Sequence, residues 1–208
     1  MSDERRGNLG HWRDFVWQAV VNYRDTGAFA PSSRYLARLI SDHSSLDDGV
    51  RVVEVGPGTG VFTEELLRRL GGPERLVVVE KSARFAALLR DRFPRLLVCE
   101  GCATGLPQML QRTPLGGVDR VVSGLPWASM PPDLQESLLE KIRQILGPGG
   151  IFTTFAYFGP HRLPAGRSFR QRLERIFPEV SRTRLEWRNL PPAFVYRASL
   201  PEEAKFSN

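Results

Sequence analysis

Cysteine is nearly absent from this chain: 208 residues carry two, Cys99 and Cys102, and only three histidines. A disulfide-stapled secreted fold is excluded, and two thiols suit a reducing compartment. Their C-x-x-C spacing is that of redox and zinc sites. Cys99, however, closes a predicted strand instead of opening a helix, and no histidine or further cysteine stands nearby to complete the roughly four ligands of a zinc site. No metal is expected. Long hydrophobic runs are missing too, since none approaches the ~20 residues of a membrane span. The start, Met1-Ser2-Asp3-Glu4-Arg5-Arg6, is too polar for a signal peptide. The chain is therefore expected to be cytoplasmic and, where it meets a membrane, peripheral to it. Negative charge is in deficit, 29 Lys+Arg against 23 Asp+Glu, giving a net charge of +6. That balance favours an anionic partner, either nucleic acid or an acidic membrane surface. The length suits one α/β domain with a full core, working as a monomer.

What is present centres on Val52-Val53-Glu54-Val55-Gly56-Pro57-Gly58-Thr59-Gly60-Val61-Phe62-Thr63, an apolar strand entering a glycine-rich turn and then a helix. Alternate glycines let backbone approach a ligand closely, and the helix start offers unpaired N–H groups. A dinucleotide site wants G-x-G-x-x-G, whereas the spacing here is G-x-G-x-G with Glu54 two residues before the first glycine. A carboxylate there repels a pyrophosphate. It suits a cationic amino-acid cofactor, whose ammonium needs an acceptor. The next strand, Leu76 to Glu80, ends in an acid placed to accept ribose hydroxyls.

Around this turn the pattern alternates. Trp12, Phe15, Val16, Ala19, Val20 and Tyr23 predict an amphipathic helix over 9–24, flanked by Arg5, Arg6, Arg13 and Arg24. Such a helix suits a membrane interface, or equally a lid over the core or cofactor. Ser32 and Ser33 are placed to N-cap a helix running to about Ser41. Later come a helix after Val61 closed by Gly71-Gly72, a helix capped by Ser82, and strand three at Leu96–Cys99. Strand four is Val118–Val122, followed by a helix opened by an Asp133/Glu136 capping box and stopped by Gly147-Pro148-Gly149-Gly150. Strand five is Ile151–Phe158. Between positions 162 and 188 stand eight arginines. A strand over 181–188 would alternate Arg182, Arg184 and Arg188 with Thr183, Leu185 and Trp187. Alternating strands and helices predict a mainly parallel sheet with helices on both faces.

The run E-V-G-P-G-T-G-V-F-T followed by V-V-E resembles the first two motifs of class I S-adenosylmethionine-dependent methyltransferases, over residues 50 to 200. The resemblance implies a Rossmann-like, mostly parallel seven-stranded sheet occupying 45–200. The amphipathic and cap helices would precede it at 1–44, and a loose tail would follow at 201–208. It implies S-adenosyl-L-methionine held by Glu54, Gly56, Gly58, Thr59, Gly60, Glu80, Lys81, Cys102, Ala103 and Ser123, with S-adenosyl-L-homocysteine as product. Cys102 stands where this class usually has an Asp for the adenine amino group, so backbone and apolar packing are expected to hold adenine instead.

Two substrates are in view. Ser123-Gly124-Leu125-Pro126-Trp127 is similar to the Asn-Leu-Pro-Tyr motif of ribosomal RNA adenine N6-methyltransferases, but the amide that grips adenine is missing. The set of leading helix, Ala30-Pro31-Ser32-Ser33, Ser-Gly-Leu-Pro and Asn189-Leu190-Pro191-Pro192-Ala193-Phe194-Val195-Tyr196 looks like the bacterial phospholipid N-methyltransferases. These convert phosphatidylethanolamine stepwise to phosphatidylcholine, and relatives methylate ornithine lipid. That resemblance is the preferred one. It implies an aminolipid substrate and an anionic membrane surface on the inner face of the cytoplasmic membrane, with no nucleic acid. Candidate substrate contacts are Tyr23, Ser32, Ser33, Leu125 and Trp127, with Arg162 and Arg167 for the lipid phosphate. Tyr157 and Tyr196 are candidates to face the methylated ammonium, and His161 to take the amine proton.

Overall fold

The computed structural model describes residues 33–202. The expected helix over 9–24, Tyr23, Ser32 and most of the tail lie outside them. Seven strands form one sheet in the order β3-β2-β1-β4-β5-β7-β6. They are β1 (Val52–Val55), β2 (Leu76–Glu80), β3 (Leu97–Glu100), β4 (Val118–Ser123), β5 (Leu146–Tyr157), β6 (Glu179–Arg182) and β7 (Ala193–Ser199). The first five run parallel, and β7 enters antiparallel between β5 and β6. The central strands read as unbroken apolar runs because both of their faces are covered.

Helices α1 (Arg34–His43), α2 (Val61–Leu70) and α3 (Ala83–Arg92) cover one face. Leu36, Ile40, Phe62, Leu66 and Leu89 pack there on Val52, Val78 and Val195. Helices α4 (Leu106–Leu110), α5 (Pro132–Ile145) and α6 (Pro164–Ile176) cover the other, where Leu138, Ile142, Phe169 and Leu173 pack on Val53, Val121 and Phe152. Among the described residues no helix is long and apolar enough to cross a membrane.

Local signals held at several ends. The Ser33 hydroxyl accepts from Leu36 N and caps α1, Ser82 accepts from Phe85 N and caps α3, and Gly71 closes α2 in the left-handed region. Others did not. The Asp133/Glu136 box is not formed, because α5 starts earlier, with Pro131 as cap and Pro132 in the first turn. Proline supplies the helical φ there and has no N–H left to satisfy. Gly147-Pro148-Gly149-Gly150 lies within β5, where the pairing with β4 shifts register between Val118 and Arg120, and α5 passes into the strand at Leu146. The strand expected over 181–188 ends at Arg182. Beyond it the chain is a loop pinned by the isolated bridge Glu186 to Ala193. Helix α6 was hidden in the sequence by its arginines, although Phe169 and Leu173 carry its buried stripe.

Candidate active site

At the carboxyl ends of the parallel strands, β1 turns through Gly56–Gly60 into α2. Gly56 and Gly60 have φ of +70° and +85°, a region that favours glycine. A Cβ on Gly56 would stand 2.5 Å from Leu125 Cδ2, and one on Gly60 2.8 Å from Leu89 Cδ2. The loop after β4 closes against the same turn. Gly124 N donates to Val55 O at 2.9 Å, and a Cβ on Gly124 would run into the Gly56 carbonyl oxygen.

Two buried carboxylates flank the turn. Glu80 Oε2 accepts from Gly58 N at 3.1 Å and Oε1 from Ser82 N at 2.8 Å, so this side chain shapes the glycine turn and keeps lone pairs free for a ligand. Glu54 is fully buried, with Oε2 accepting from Thr63 Oγ1 at 2.7 Å. Its Oε1 has no partner. Burial, reinforced by the charge of Glu80 and opposed by Thr63, pushes its carboxyl up to about 8. A buried acceptor without a donor costs stability unless a ligand supplies one. A cationic ammonium is the ligand that both fills the gap and favours the ionised form. The donor set therefore fits an amino-acid cofactor. Among the described residues, no group of three His, Cys, Asp or Glu could hold a metal.

The remaining predicted cofactor residues lie around this centre. Thr59 is exposed in the turn, its carbonyl accepting from Arg92 Nη1 at 3.0 Å. Lys81 is exposed beside Glu80, and Ala103 starts a short 3-10 turn after Cys102. Cys102 is exposed, and hydrogen bonds with Thr104, helped by the charge of Lys81, hold its thiol below the usual range.

Ser123 and Trp127 are both buried. The Ser123 Oγ accepts from Leu125 N at 3.2 Å and Trp127 Nε1 at 3.1 Å. It holds the loop. Trp127 is 2% exposed, stacked on Phe169 at 5.2 Å between ring centroids. It is a core residue and presents no face to a substrate. Leu125, half-buried over Gly56, does stand at the site.

The two strand tyrosines cannot form a joint cage. Tyr157 is paired with Ala193, and Tyr196 with Thr154. Cross-strand partners share a face and successive residues alternate, so Tyr157 and Tyr196 point to opposite sides of the sheet. Tyr157 lies on the α1 side against Phe155, its hydroxyl pushed up to about 12 by burial. Tyr196, 3% exposed, packs between Phe169 and Phe194 on the α6 side. That makes it core. His161 sits between the rings of Phe158 and Phe194. Burial, with the charges of Arg162, Arg182 and Arg170, lowers its pKa, and Nδ1 is buried without a partner. Arg162 lies over the Phe158 ring at 5.3 Å, and Arg167 is exposed on the first turns of α6.

A residue without an assigned role in the sequence joins the two ends of the site. Asn189, 2% exposed, accepts from Ser33 N at 2.9 Å through Oδ1 and donates to Pro191 O through Nδ2 at 2.6 Å. Asparagine before Leu-Pro-Pro signals a turn, but nothing in the local pattern points to a partner 156 positions away. Thr63 was likewise unassigned. Its place in the first turn of α2, nine residues after Glu54, is the available clue.

A model of a methyltransferase domain matches residues 52–150. The ornithine lipid N-methyltransferase of Singulisphaera acidiphila is 36% identical over 172 residues, covering 81% of this chain and 85% of the relative. The chain belongs to that aminolipid N-methyltransferase family, within the class I S-adenosylmethionine-dependent methyltransferases. The ribosomal RNA small subunit methyltransferase A of Chlorobium luteolum is 34% identical over 114 residues, covering 55% of this chain but only 40% of that relative. Among solved structures, the N-methyltransferase NodS of Bradyrhizobium japonicum matches with a TM-score of 0.61 at 17% identity, covering 81% of this chain and 96% of that one. The glycopeptide N-methyltransferase MtfA, solved with sinefungin, matches with a TM-score of 0.62 at 15% identity, covering 83% and 96%. These two share the fold. For this methyltransferase the cofactor is S-adenosylmethionine, and the buried Glu54 and Glu80 lie beside the turn that fits it.

Proposed function

We propose that this methyltransferase transfers methyl groups from S-adenosylmethionine to the primary amine of an aminolipid headgroup at a membrane surface. Phosphatidylethanolamine, taken stepwise toward phosphatidylcholine, and ornithine lipid are the two headgroups in view. The observation that carries the reading is the loop Ser123-Gly124-Leu125-Pro126. Ribosomal RNA adenine methyltransferases have an Asn before Leu-Pro, and here that position is Gly124, closed so tightly on Gly56 that no side chain fits. The RNA reading has its own support in the partial likeness to ribosomal RNA methyltransferases. It lacks the group that would grip the base.

In this reading Glu54 Oε1 receives the cofactor ammonium and Glu80 the ribose hydroxyls, while backbone and apolar groups around Cys102 and Ala103 enclose the adenine. The cofactor, when bound, brings its own electrophilic methyl group, so the protein's task is positioning and the exclusion of water. Leu125 and Tyr157 supply apolar and aromatic walls. Tyr157 stays protonated at neutral pH, presenting a π face to a methylated ammonium. The amine must lose a proton before it attacks. His161, whose pKa is lowered by burial and the nearby arginine charges against a backbone hydrogen bond at Tyr157, is the side chain assigned to accept it. Arg162 and Arg167 are assigned to the lipid phosphate.

The test is mass spectrometry of lipids from a host without methylated aminolipids, with and without this gene product. New mono-, di- or trimethylated phosphatidylethanolamine or ornithine lipid is the expected result. An unchanged lipid profile together with newly dimethylated adenine in ribosomal RNA would overturn the assignment.

A further inference from the structure

The loop between β6 and β7, residues 183–192, lies at the site's mouth, since β7 begins at Ala193 directly opposite Tyr157, the last residue of β5. Four large apolar side chains among the described residues are exposed, Leu88, Leu97, Trp187 and Leu190. The first two are the less exposed of the four, at 42% and 39%. Trp187 at 67% and Leu190 at 81% are the most exposed, three positions apart on this one loop.

Their exposure is built in. Glu186 N donates to Ala193 O at 2.7 Å and Ala193 N returns a bond to Glu186 O at 3.3 Å. Val195 N donates to Thr183 Oγ1 at 3.0 Å, and Asn189 is buried and bonded on both sides of its amide. With Glu186 and Asn189 fixed in this way, Trp187 and Leu190 are held out into solvent. Leaving such side chains unburied forgoes about 1.5–3 kcal/mol each, so their presentation calls for a partner.

The surroundings say which partner. Arg182 and Arg184 are exposed and carry no ion pair among the described residues, and neither does Arg162, which lies on Phe158, whose ring is 6.1 Å from that of Trp187. Arg182 stacks over Phe194 at 5.5 Å. The loop's one carboxylate, Glu186, is taken by Arg188 at 2.9 Å. Two apolar tips are too small for a stable protein interface, which buries roughly 800 Å² per partner. An RNA strand wants successive stacking platforms, and Leu190 offers none. A tryptophan and a leucine on a loop preceded by unpaired Arg182 and carrying unpaired Arg184 match a bilayer whose headgroups are anionic, with the indole at the interface and the guanidiniums at the phosphates.

We propose that Trp187 and Leu190 form a wedge that enters the headgroup layer of an anionic bilayer, with Arg162, Arg182 and Arg184 meeting lipid phosphates around it. The wedge rests on the aminolipid reading above and gives it a physical docking point beside the site.

The test compares the full-length protein with the double variant Trp187→Ser/Leu190→Ser. Sedimentation with vesicles of phosphatidylglycerol and phosphatidylcholine is run beside methylation of phosphatidylethanolamine or ornithine lipid dispersed in detergent micelles. The double variant is expected to bind the vesicles about tenfold or more weaker, with thermal melting and micellar methylation unchanged. Equal vesicle binding by the two proteins overturns the wedge, as does binding of RNA but not vesicles by the unmodified protein. A protein that loses vesicle binding with the double substitution but methylates no lipid in micelles supports the wedge and sinks the aminolipid reading instead.

Discussion

Arginine is used in two different ways in this molecule. Around the cofactor half of the sheet several guanidiniums are matched to carboxylates. Arg51 makes two bonds of 2.9 Å to Asp119, Arg68 pairs with Glu65, Arg90 with Glu100 and Arg92 with Glu64. Asp119 and Glu65 are held below the usual carboxylate range by those bonds. Along the rim built from β5, the turn after it, β6 and the β6–β7 loop, Arg162 and Arg182 carry no ion pair among the described residues and instead lie over Phe158 and Phe194, at 5.3 and 5.5 Å from the ring centroids. A guanidinium on an aromatic face keeps most of its charge available to an outside anion, whereas one in a bidentate pair does not. The contrast separates a surface that closes the fold from one that faces outward.

The largest expected effect lies on the cofactor side. Glu80→Ala removes the acceptor of both Gly58 N and Ser82 N together with the proposed ribose contact. Hydrogen bonds to a charged group contribute about 1.5–3 kcal/mol each, so S-adenosylmethionine affinity should fall roughly 100-fold or more while the chain stays folded. Calorimetric titration beside a thermal melt checks this, and unchanged affinity would remove the assignment.

A second effect comes from Glu54. Its folded-state pKa is raised from 4.5 to about 8, so without ligand the folded chain prefers the protonated form. The associated stability is present below pH 4.5 and is lost as pH rises toward 8. The cofactor-free protein should thus lose melting temperature across that window more steeply than the Glu54→Gln variant. Cofactor affinity should climb over the same window, with proton release seen as a buffer-dependent binding enthalpy. Parallel pH curves for the two proteins would show that Glu54 is not the group responsible.

The smallest effects test the arginine contrast itself. Arg51→Ala breaks a bidentate, partly exposed pair and should cost about 1 kcal/mol, lowering the melting temperature by roughly 2–4 °C. Arg184→Ala, on the rim, should change stability by less than about 0.5 kcal/mol yet weaken sedimentation with anionic vesicles. Equal stability losses, or unaltered vesicle binding by Arg184→Ala, would erase the distinction.

The cofactor side was the more legible in sequence, for a physical reason. Strands β1 and β2 are covered on both faces, so they appear as Val-rich runs. The turn between β1 and α2 needs backbone that only glycine adopts easily, so its spacing is written locally. The rim is specified by contacts between distant positions. Arginines masked the Phe169 and Leu173 stripe of α6, and the β6–β7 segment, read as an alternating strand, is a pinned loop. Tyr157 and Tyr196 were both candidates to face the ammonium because the first ends strand five and the second lies in the final strand. Only the register, which sets Tyr157 against Ala193, reveals that they face opposite ways. Trp127 matched an aromatic that stacks on a base, but its indole N–H is committed to Ser123 inside the core.

The hydrogen bond from Ser33 to Asn189 ties the front of the chain to a residue near its end. Trimming the protein up to and including Ser33 would therefore do two things at once, discarding the leading segment and orphaning a buried amide oxygen whose neighbours hold the Trp187 and Leu190 tips in place. A truncated enzyme that let go of its lipid could not tell an experimenter which injury was responsible. Point changes within the leader, which keep that clasp shut, are the sounder instrument.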